Sequence, residues 1–257
     1  MPSRETQRHR PLGWGESAPW FTVRADCNPT FSFNTAAGRC AVLVFFQSAA
    51  LPESRRALEP ALCRALVEFY DRGGGEPSGF MRDIDGRTRL VHDAQHKVRR
   101  DREITDQALP GGAMARIHAR LVPEIAKAFQ FHVTRIERHI VAWYDGSDRG
   151  HFRPHRDNTT KGTAHRRFAV TLNLNAGEYD GGNLRFPEFG PQTYRPPTGA
   201  ALVFSCSLLH EATDVTRGRR YAYLPFLYDD AAAAVRAANL DFLATGPASD
   251  LSSTDTR

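Results

Sequence analysis

Lysine is close to absent from this 257-residue chain: Lys97, Lys127 and Lys161 stand against 31 arginines, the remainder of 34 basic residues. The formal charge of +5 and the pI near 9.2 are therefore carried by arginines scattered along the sequence. No block of like charge and no nucleic-acid motif accompanies them, which argues against a nucleic-acid partner. No apolar run approaches the ~18–20 residues that span a bilayer, so no membrane partner is expected. The polar, basic stretch 1–15 holds no apolar segment that could serve as a secretory leader, and a cytoplasmic location is expected. The four cysteines (Cys27, Cys40, Cys63 and Cys206) lie far apart, with no C-x-x-C pair and no metal-finger spacing. Reduced thiols follow, with Cys63 and Cys206 expected to be buried. There is no internal repeat, and nothing here fixes the oligomeric state.

What is present is the composition of a soluble globular chain, 41% hydrophobic and 25% charged, long enough for one large domain with a small appendage. Residues 1–15 read as a disordered arm. Short alternating segments at 21–23 and 31–33 precede the β-branched and aromatic run 41–46, which predicts a buried strand. Leu58, Leu62, Leu66 and Phe69 predict an amphipathic helix over 52–70, stopped by Gly73–Gly75. Residues 76–105 are polar and read as loops with short strands. Met114, Ile117, Leu121, Ile125 and Phe129 form a second helical stripe, with a kink expected at Pro123. After His132 the texture turns to β. Strands are expected at 136–144, 167–175, 183–186, 199–205 and 221–228, separated by Gly, Pro, Asn and Asp, as in an antiparallel sandwich or barrel. A helix over 231–243 and a frayed tail from 245 close the chain.

The chemistry concentrates in the second half. In an extended segment, residues two apart share a face, so His155 and Asp157, at the end of a loop spanning 145–154, can present an imidazole and a carboxylate to one ion. His210, at the end of the apolar strand expected over 200–209, is the candidate third ligand. Two histidines and one carboxylate on one face, with open positions opposite, suit iron(II). Alone, H-x-D is weak in a chain with ten histidines, and a charged surface pair would explain it equally. Arg220 strengthens it. Beyond a turn expected at 216–218, a strand returning toward the ion would carry a guanidinium able to clamp a carboxylate with two parallel hydrogen bonds. Arg219 is its competitor, because one step of register turns a side chain to the other face.

Tyr144, the loop to His155-x-Asp157-Asn158, the strand from Phe168 to Asn175, Gly181-Gly-Asn-Leu-Arg-Phe186, Gly199 to Phe204, His210-Glu211 and Val215-Thr-Arg-Gly-Arg-Arg220 together resemble the prolyl-4-hydroxylase-like branch of the 2-oxoglutarate/iron(II) dioxygenases. The resemblance covers about residues 76–230. It implies a mixed α+β fold, a double-stranded β-helix (jelly-roll) core with flanking helices. It implies iron(II), 2-oxoglutarate and O2 as cofactor and cosubstrates, with ascorbate a further candidate. His155, Asp157 and His210 would be the metal and catalytic residues, and Arg220, Tyr144 and Asn173 would bind 2-oxoglutarate. Tyr144 could instead be a core aromatic, and Asn173 a plain inward strand residue. The implied reaction oxidises an unactivated C–H bond of an amino acid, peptide or small metabolite, releasing succinate and CO2.

A second resemblance is to the opening strands of a peroxiredoxin, over residues 15–49, but Gln47-Ser-Ala-Ala50 stands where a peroxidatic cysteine would follow. The expected organisation is thus an arm (1–15), a small peroxiredoxin-like segment with a helix (16–75), a dioxygenase domain (76–230) and a C-terminal helix and tail (231–257). Arg153, Arg156, His165, Arg166 and Arg167 are expected near the mouth of the site, as solvated rim residues or as attractors of an acidic substrate. His151 is either an outer support or exposed. Three rivals stand beside this reading: a zinc hydrolase with this His/Asp/His site, a catalytically silent jelly-roll binding protein, and a thiol peroxidase dependent on Cys27 or Cys40. Succinate formation on adding iron and 2-oxoglutarate separates the first reading from the zinc hydrolase, intact ligands argue against the silent protein, and the peroxidase requires peroxide consumption sensitive to loss of Cys27 or Cys40.

Overall fold

A computed structural model describes residues 22–25, 28–32, 56–104 and 108–243. The expected arm, the strand at 41–46, the first turn of the helix from 52, Cys27, Cys40 and the tail from 245 lie outside the described residues. The chain divides into two compact units, Met1–Arg39 and Cys40–Arg257. In the first, strands β1 (Thr22–Ala25) and β2 (Asn28–Ser32) form an antiparallel pair.

The second unit begins with helix α1 (Pro60–Gly73), later than the sequence predicts, because Pro60 sits in its first turn behind an extended Glu59. Proline suits that position, where its missing N–H has no intrahelical partner to lose. Then come β3 (Glu76–Pro77), β4 (Phe80–Ile84), β5 (Arg87–Val91), β6 (Lys97–Val98) and β7 (Arg100–Glu103). Helices α2 (Ala108–Arg116) and α3 (Val122–Phe129) are joined by a single wide π turn, Ile117–Leu121. Here the expected kink at Pro123 moves one turn back. Pro123 is in the first turn of α3, its ring would crowd the carbonyl four residues earlier, and the Val122 N–H reaches Ile117 O instead.

The β-rich half holds β8 (Arg135–Glu137), β9 (Ile140–Asp145), β10 (His151–His155), β11 (Phe168–Asn173), β12 (Tyr179–Gly181), β13 (Leu184–Arg185), β14 (Thr193–Tyr194), β15 (Ala201–Ser205), β16 (His210–Ala212), β17 (Val215–Tyr223) and β18 (Phe226–Tyr228). Helix α4 (Asp230–Ala238) follows, with the Asp229 carboxylate accepting from the Ala232 N–H. The helix expected to 243 ends at Asn239 and yields to a 3-10 turn, Leu240–Phe242.

Two sheets enclose the interior. The larger runs β3-β7-β9-β17-β11-β18-β8, with β12 on β17 and β15 on β11; the smaller runs β14-β13-β16-β10-β6. All the pairings are antiparallel, giving the expected mixed α+β jelly-roll. The β4–β5 hairpin is a separate pair. Alternation along the strands divides the larger sheet's faces. Val141, Val170, Leu172, Tyr221 and Tyr223 share one core cluster with Leu66 and Phe69 of α1 and with Ile117 and Ile125. Ala142 and Tyr144 turn the other way, toward Phe152 and Ala212 of the smaller sheet. Leu66, Ile117, Val141, Leu172 and Leu227 are fully buried, each contributing about 1.5–3 kcal/mol by leaving water. Every residue of β11 is buried, as expected for a strand covered on both faces. α1, grouped by sequence with the N-terminal segment, packs in this core.

Three strand boundaries differ from expectation where the chain turns. The strand expected over 136–144 breaks between β8 and β9, where Arg138 takes φ 67°. His210 opens β16 instead of ending the strand that carries Val203. The turn expected at 216–218 lies inside β17. Gly218, at φ 73°, brings its Cα side so close to Glu178 O that a Cβ would sit 2.3 Å from it, so this glycine serves a close strand approach rather than a reversal.

Candidate metal centre

His155 ends β10 and His210 opens β16, and the two residues are direct cross-strand partners. Antiparallel partners hold their Cβ atoms about 4.5–5.5 Å apart, and here the imidazole centroids are 4.2 Å apart. Asp157 follows β10, its N–H held by Cys206 O at 2.9 Å. His155 Nε2 lies 3.6 Å from Asp157 Oδ1, His210 Nε2 lies 3.4 Å from Asp157 Oδ2, and the ligand atoms of all three residues fall within 4.8 Å of one another. The loop expected over 145–154 is shorter than predicted, since residues 151–155 are strand.

The tautomers are set by the backbone. His155 Nδ1–H donates to Arg153 O (2.7 Å) and His210 Nδ1–H to Leu208 O (3.0 Å). Both Nε2 atoms therefore present lone pairs, and they face a carboxylate that also only accepts. Three acceptors converging without a proton between them are stable only around a cation, so the donor set fits a metal ion. Burial and the neighbouring His210 push the His155 imidazole well below its ordinary pKa, favouring the neutral ligand form. Phe152 stacks on His155 at 3.4 Å and 19°, and Phe204 lies edge-on to His210 at 4.5 Å.

Across the same cavity stands Arg220. It pairs with Tyr144 in the β17–β9 ladder, is buried (3% exposed), and its guanidinium carbon lies 4.8 Å from the Tyr144 ring centre. No described residue gives it a carboxylate, and its Nε has no hydrogen-bond partner. Arg219, one step away, is exposed and reaches Asp145 at 3.4 Å, so the register turns Arg220 inward. A buried guanidinium without a counter-charge is costly, and an anionic ligand removes that cost. Gly182 makes room for it. At φ 62° a Cβ there would meet Val215 Cγ2 at 2.8 Å and Arg220 Cδ at 3.0 Å.

Tyr144 lines the cavity with His155, Asp157, His210 and Arg220. Its hydroxyl accepts from Arg99 Nη1 (3.3 Å). Asn173 does not line this cavity. Its amide donates to Pro196 O at 2.7 Å, whereas Thr171, two residues earlier on the same strand face, lines it. The expected rim residues are mostly engaged: Arg153 pairs with Asp214 (2.7 Å), Arg156 with Glu188 (2.8 Å), and His165 and Arg166 with Glu137 (2.9 and 3.1 Å). His151 is buried against the carbonyls of Arg149 and Gln95. Cys63 and Cys206 are buried free thiols, and burial pushes the Cys63 thiol up to about 11.

A charged cluster beside the candidate metal ligands was not singled out in the sequence. Arg99 gives Nη2 to Asp101 Oδ2 (2.6 Å) and Arg138 gives Nη2 to the same oxygen (3.0 Å). Lys97 is buried over Phe152, with Nζ 4.6 Å from the ring centre. Lys97, Arg99 and Asp101 fall two apart along an extended segment, but every residue from Lys97 to Glu103 except Val98 is charged, so no alternation singles them out.

Residues 136–228 match the family model of the 2OG-Fe(II) oxygenase superfamily. A PKHD-type hydroxylase of Synechococcus sp. (strain JA-2-3B'a(2-13)) is 48% identical over 56 residues, which is 21% of this chain and 25% of that protein. The chain thus matches a quarter of the length of this relative. A prolyl hydroxylase from Trichoplax adhaerens, solved with a hypoxia inducible factor oxygen degradation domain peptide, superimposes with a TM-score of 0.55 at 18% identity, over 72% of this chain and 84% of that one. A Pseudomonas putida prolyl-4-hydroxylase does so with a TM-score of 0.51 at 21% identity, over 67% and 89%. At these identities the superpositions establish a common fold.

Proposed function

From its membership of the 2OG-Fe(II) oxygenase superfamily, in the prolyl-4-hydroxylase-like branch, we propose that this chain is an iron(II)- and 2-oxoglutarate-dependent hydroxylase acting on an amino acid, peptide or small metabolite. The observation that carries this reading is the buried, uncompensated Arg220 guanidinium in one cavity with His155, Asp157 and His210.

His155 Nε2, Asp157 and His210 Nε2 would hold the iron, a donor set of two imidazoles and one carboxylate that suits iron(II). The bound iron supplies the coupling of 2-oxoglutarate oxidation, to succinate and CO2, with insertion of an oxygen atom into a C–H bond. Arg220 receives the far carboxylate of 2-oxoglutarate and sets the cosubstrate's orientation. The Tyr144 hydroxyl, steadied by Arg99, and the Thr171 hydroxyl are the neutral donors on that path. Thr171 takes the role that the family resemblance implied for Asn173, whose amide is committed to Pro196 O. The surrounding Phe152, Phe204 and Leu184 keep water from the reacting atoms. A hydrolytic zinc site has no use for the Arg220 clamp, and a silent binding protein has none for two imidazoles locked with their Nε2 atoms toward a carboxylate. Among the described residues no helix is long and apolar enough to cross a membrane; we place the enzyme in the cytoplasm, where its free thiols stay reduced.

The test is the purified chain with iron(II), 2-oxoglutarate and O2, read as succinate, with cell extract screened by mass spectrometry for products gaining one oxygen atom. Runs with and without ascorbate decide whether that reductant is used. No succinate, together with no anaerobic binding of 2-oxoglutarate, would sink the reading.

A further inference from the structure

Beside the metal cavity lies a second cleft of about 310 Å³, at the small end of the range for ligand sites. Its far wall is apolar. Phe80 lines it with Met81 and Leu90, which face each other across the β4–β5 hairpin and are both exposed. Its near wall is the metal centre itself, since His155 and Asp157 line both spaces. One basic side chain lines both as well: Arg138.

Three observations set Arg138 apart. Its backbone is left-handed, φ 67°, a conformation that costs a non-glycine residue free energy and that clusters at functional sites. It occupies the short break between β8 and β9, where an unbroken strand would have fixed its direction by alternation. Its charge is also under-compensated. Asp101 Oδ2 is shared by Arg99 and Arg138, with Lys97 donating close by to Ser78 Oγ (2.7 Å), and the other carboxylate acting on Arg138 and Lys97, Asp157, is a candidate metal ligand. Over a quarter of the Arg138 side chain remains open, at 27%. Arg166, which also lines the cleft, has Glu137 at 3.1 Å; Arg138 and Arg166 both lie over the Phe226 ring, at 5.6 and 4.1 Å.

We propose that Arg138 receives a carboxylate of the molecule to be oxidised, so that the substrates are small carboxylic acids of amino-acid type with an apolar portion directed to Phe80, Met81 and Leu90. This rests on the hydroxylase reading above and narrows it. Arg220, deep in the metal cavity, serves the cosubstrate; Arg138, at the boundary, serves the substrate. The carboxylate belongs to a free amino acid or to the C-terminus of a short peptide, which share the chemistry Arg138 recognises. Glu76 also lines the cleft and disfavours a second negative charge near it.

The experiment uses the full chain with manganese(II) in place of iron and with 2-oxoglutarate, without oxygen. The probes are the amino acids and a set of N-acetyl dipeptides, each as free acid and as primary amide, read by calorimetry. For at least one pair the acid should bind about 10–100-fold more tightly than its amide, the loss expected when a charge-assisted hydrogen bond is removed. Arg138→Gln should erase that difference, Arg138→Lys should restore part of it, and Arg219→Gln should keep it whole. Preference confined to free amino acids, or extending to acetylated dipeptides, identifies the source of the carboxylate. Wild-type protein that binds 2-oxoglutarate yet treats every acid and amide alike, binding neither included, overturns the proposal, as does an Arg138→Gln protein that still discriminates. Wild-type protein that fails to bind 2-oxoglutarate fails the underlying reading instead.

Discussion

The two sheets contribute different halves of the site by different means. The smaller sheet brings the candidate metal ligands on short strands, β10 and β16, whose pairing carries a register shift between Phe152 and His155. Orientation there comes from local backbone contacts: each imidazole is pinned by a carbonyl two residues before it. The larger sheet brings Tyr144 and Arg220 on β9 and β17, paired over five successive positions from Asp145↔Arg219 to Val141↔Tyr223. There orientation is a property of the ladder, and the side chains at 219 and 220 take opposite faces because of it. Ligands set locally should fail singly, whereas a residue set by register should be sensitive to whatever disturbs the strand.

The largest effect is expected on the smaller sheet. Asp157→Ala should remove iron binding, measured as metal content after dialysis, and lower succinate formation by more than the ~10–100-fold that follows loss of an outer-shell partner. On the larger sheet, Arg220→Met should weaken anaerobic 2-oxoglutarate binding by about 2–5 kcal/mol, as when one partner of a buried charge pair is truncated. Its thermal midpoint without ligand should stay level or rise, since the variant removes a buried charge lacking a partner; a marked drop would show the guanidinium to be structural. Gly182→Ala combines an unfavourable φ with the Arg220 contact and should cost about 1–3 kcal/mol of stability while also weakening 2-oxoglutarate, seen by urea unfolding and calorimetry.

Glu137, on β8, gives a pH test. Burial would raise its pKa, but the hydrogen bond from His165 and the charge of Arg166 outweigh this and hold it at about 2, against an ordinary 4.5. The unfolded chain therefore binds the proton first on acidification. Glu137 stabilises fully above pH ~4.5, and that contribution is lost as the pH falls toward 2. Glu137→Gln should destabilise at neutral pH by about 1–2 kcal/mol and flatten the acid limb of the stability curve. Smallest of all, Arg219→Ala should change stability by less than about 0.5 kcal/mol and leave 2-oxoglutarate affinity unaltered, because its side chain is exposed.

Only the pairing of His155 with Asp157 lay in short-range pattern, as two positions on one side of an extended segment; His210 and Arg220, on other strands, needed the family resemblance beside them. The turn expected at 216–218 to return Arg220 is continuous strand in β17, and pairing with β9 decides between Arg219 and Arg220. What was not legible depends on tertiary detail. Asn173 and Thr171 share a strand face, and only the position of the Pro196 carbonyl decides which is free. Arg138 reads as one more residue of a strand until its left-handed turn is seen. The Pro123 kink falls a turn early because a π turn relieves the proline ring, which no propensity scale anticipates. The buried Lys97 and Arg99 lie in a polar stretch read as loops with short strands, where Arg100 and Arg102 are charged as well and no alternation separates inward from outward positions.

That run has one further consequence. β6 belongs to the smaller sheet and β7 to the larger, and Arg99 alone connects them. Adjacent Cα atoms are about 3.8 Å apart, so a one-residue link leaves the margins of the two sheets no freedom to part there. The molecule is sewn shut along that seam. The β4–β5 hairpin stands beside this seam, with Phe80 on His96 at 4.5 Å, so the cleft lined by Lys97, Asp101 and Phe80 keeps one margin of fixed width.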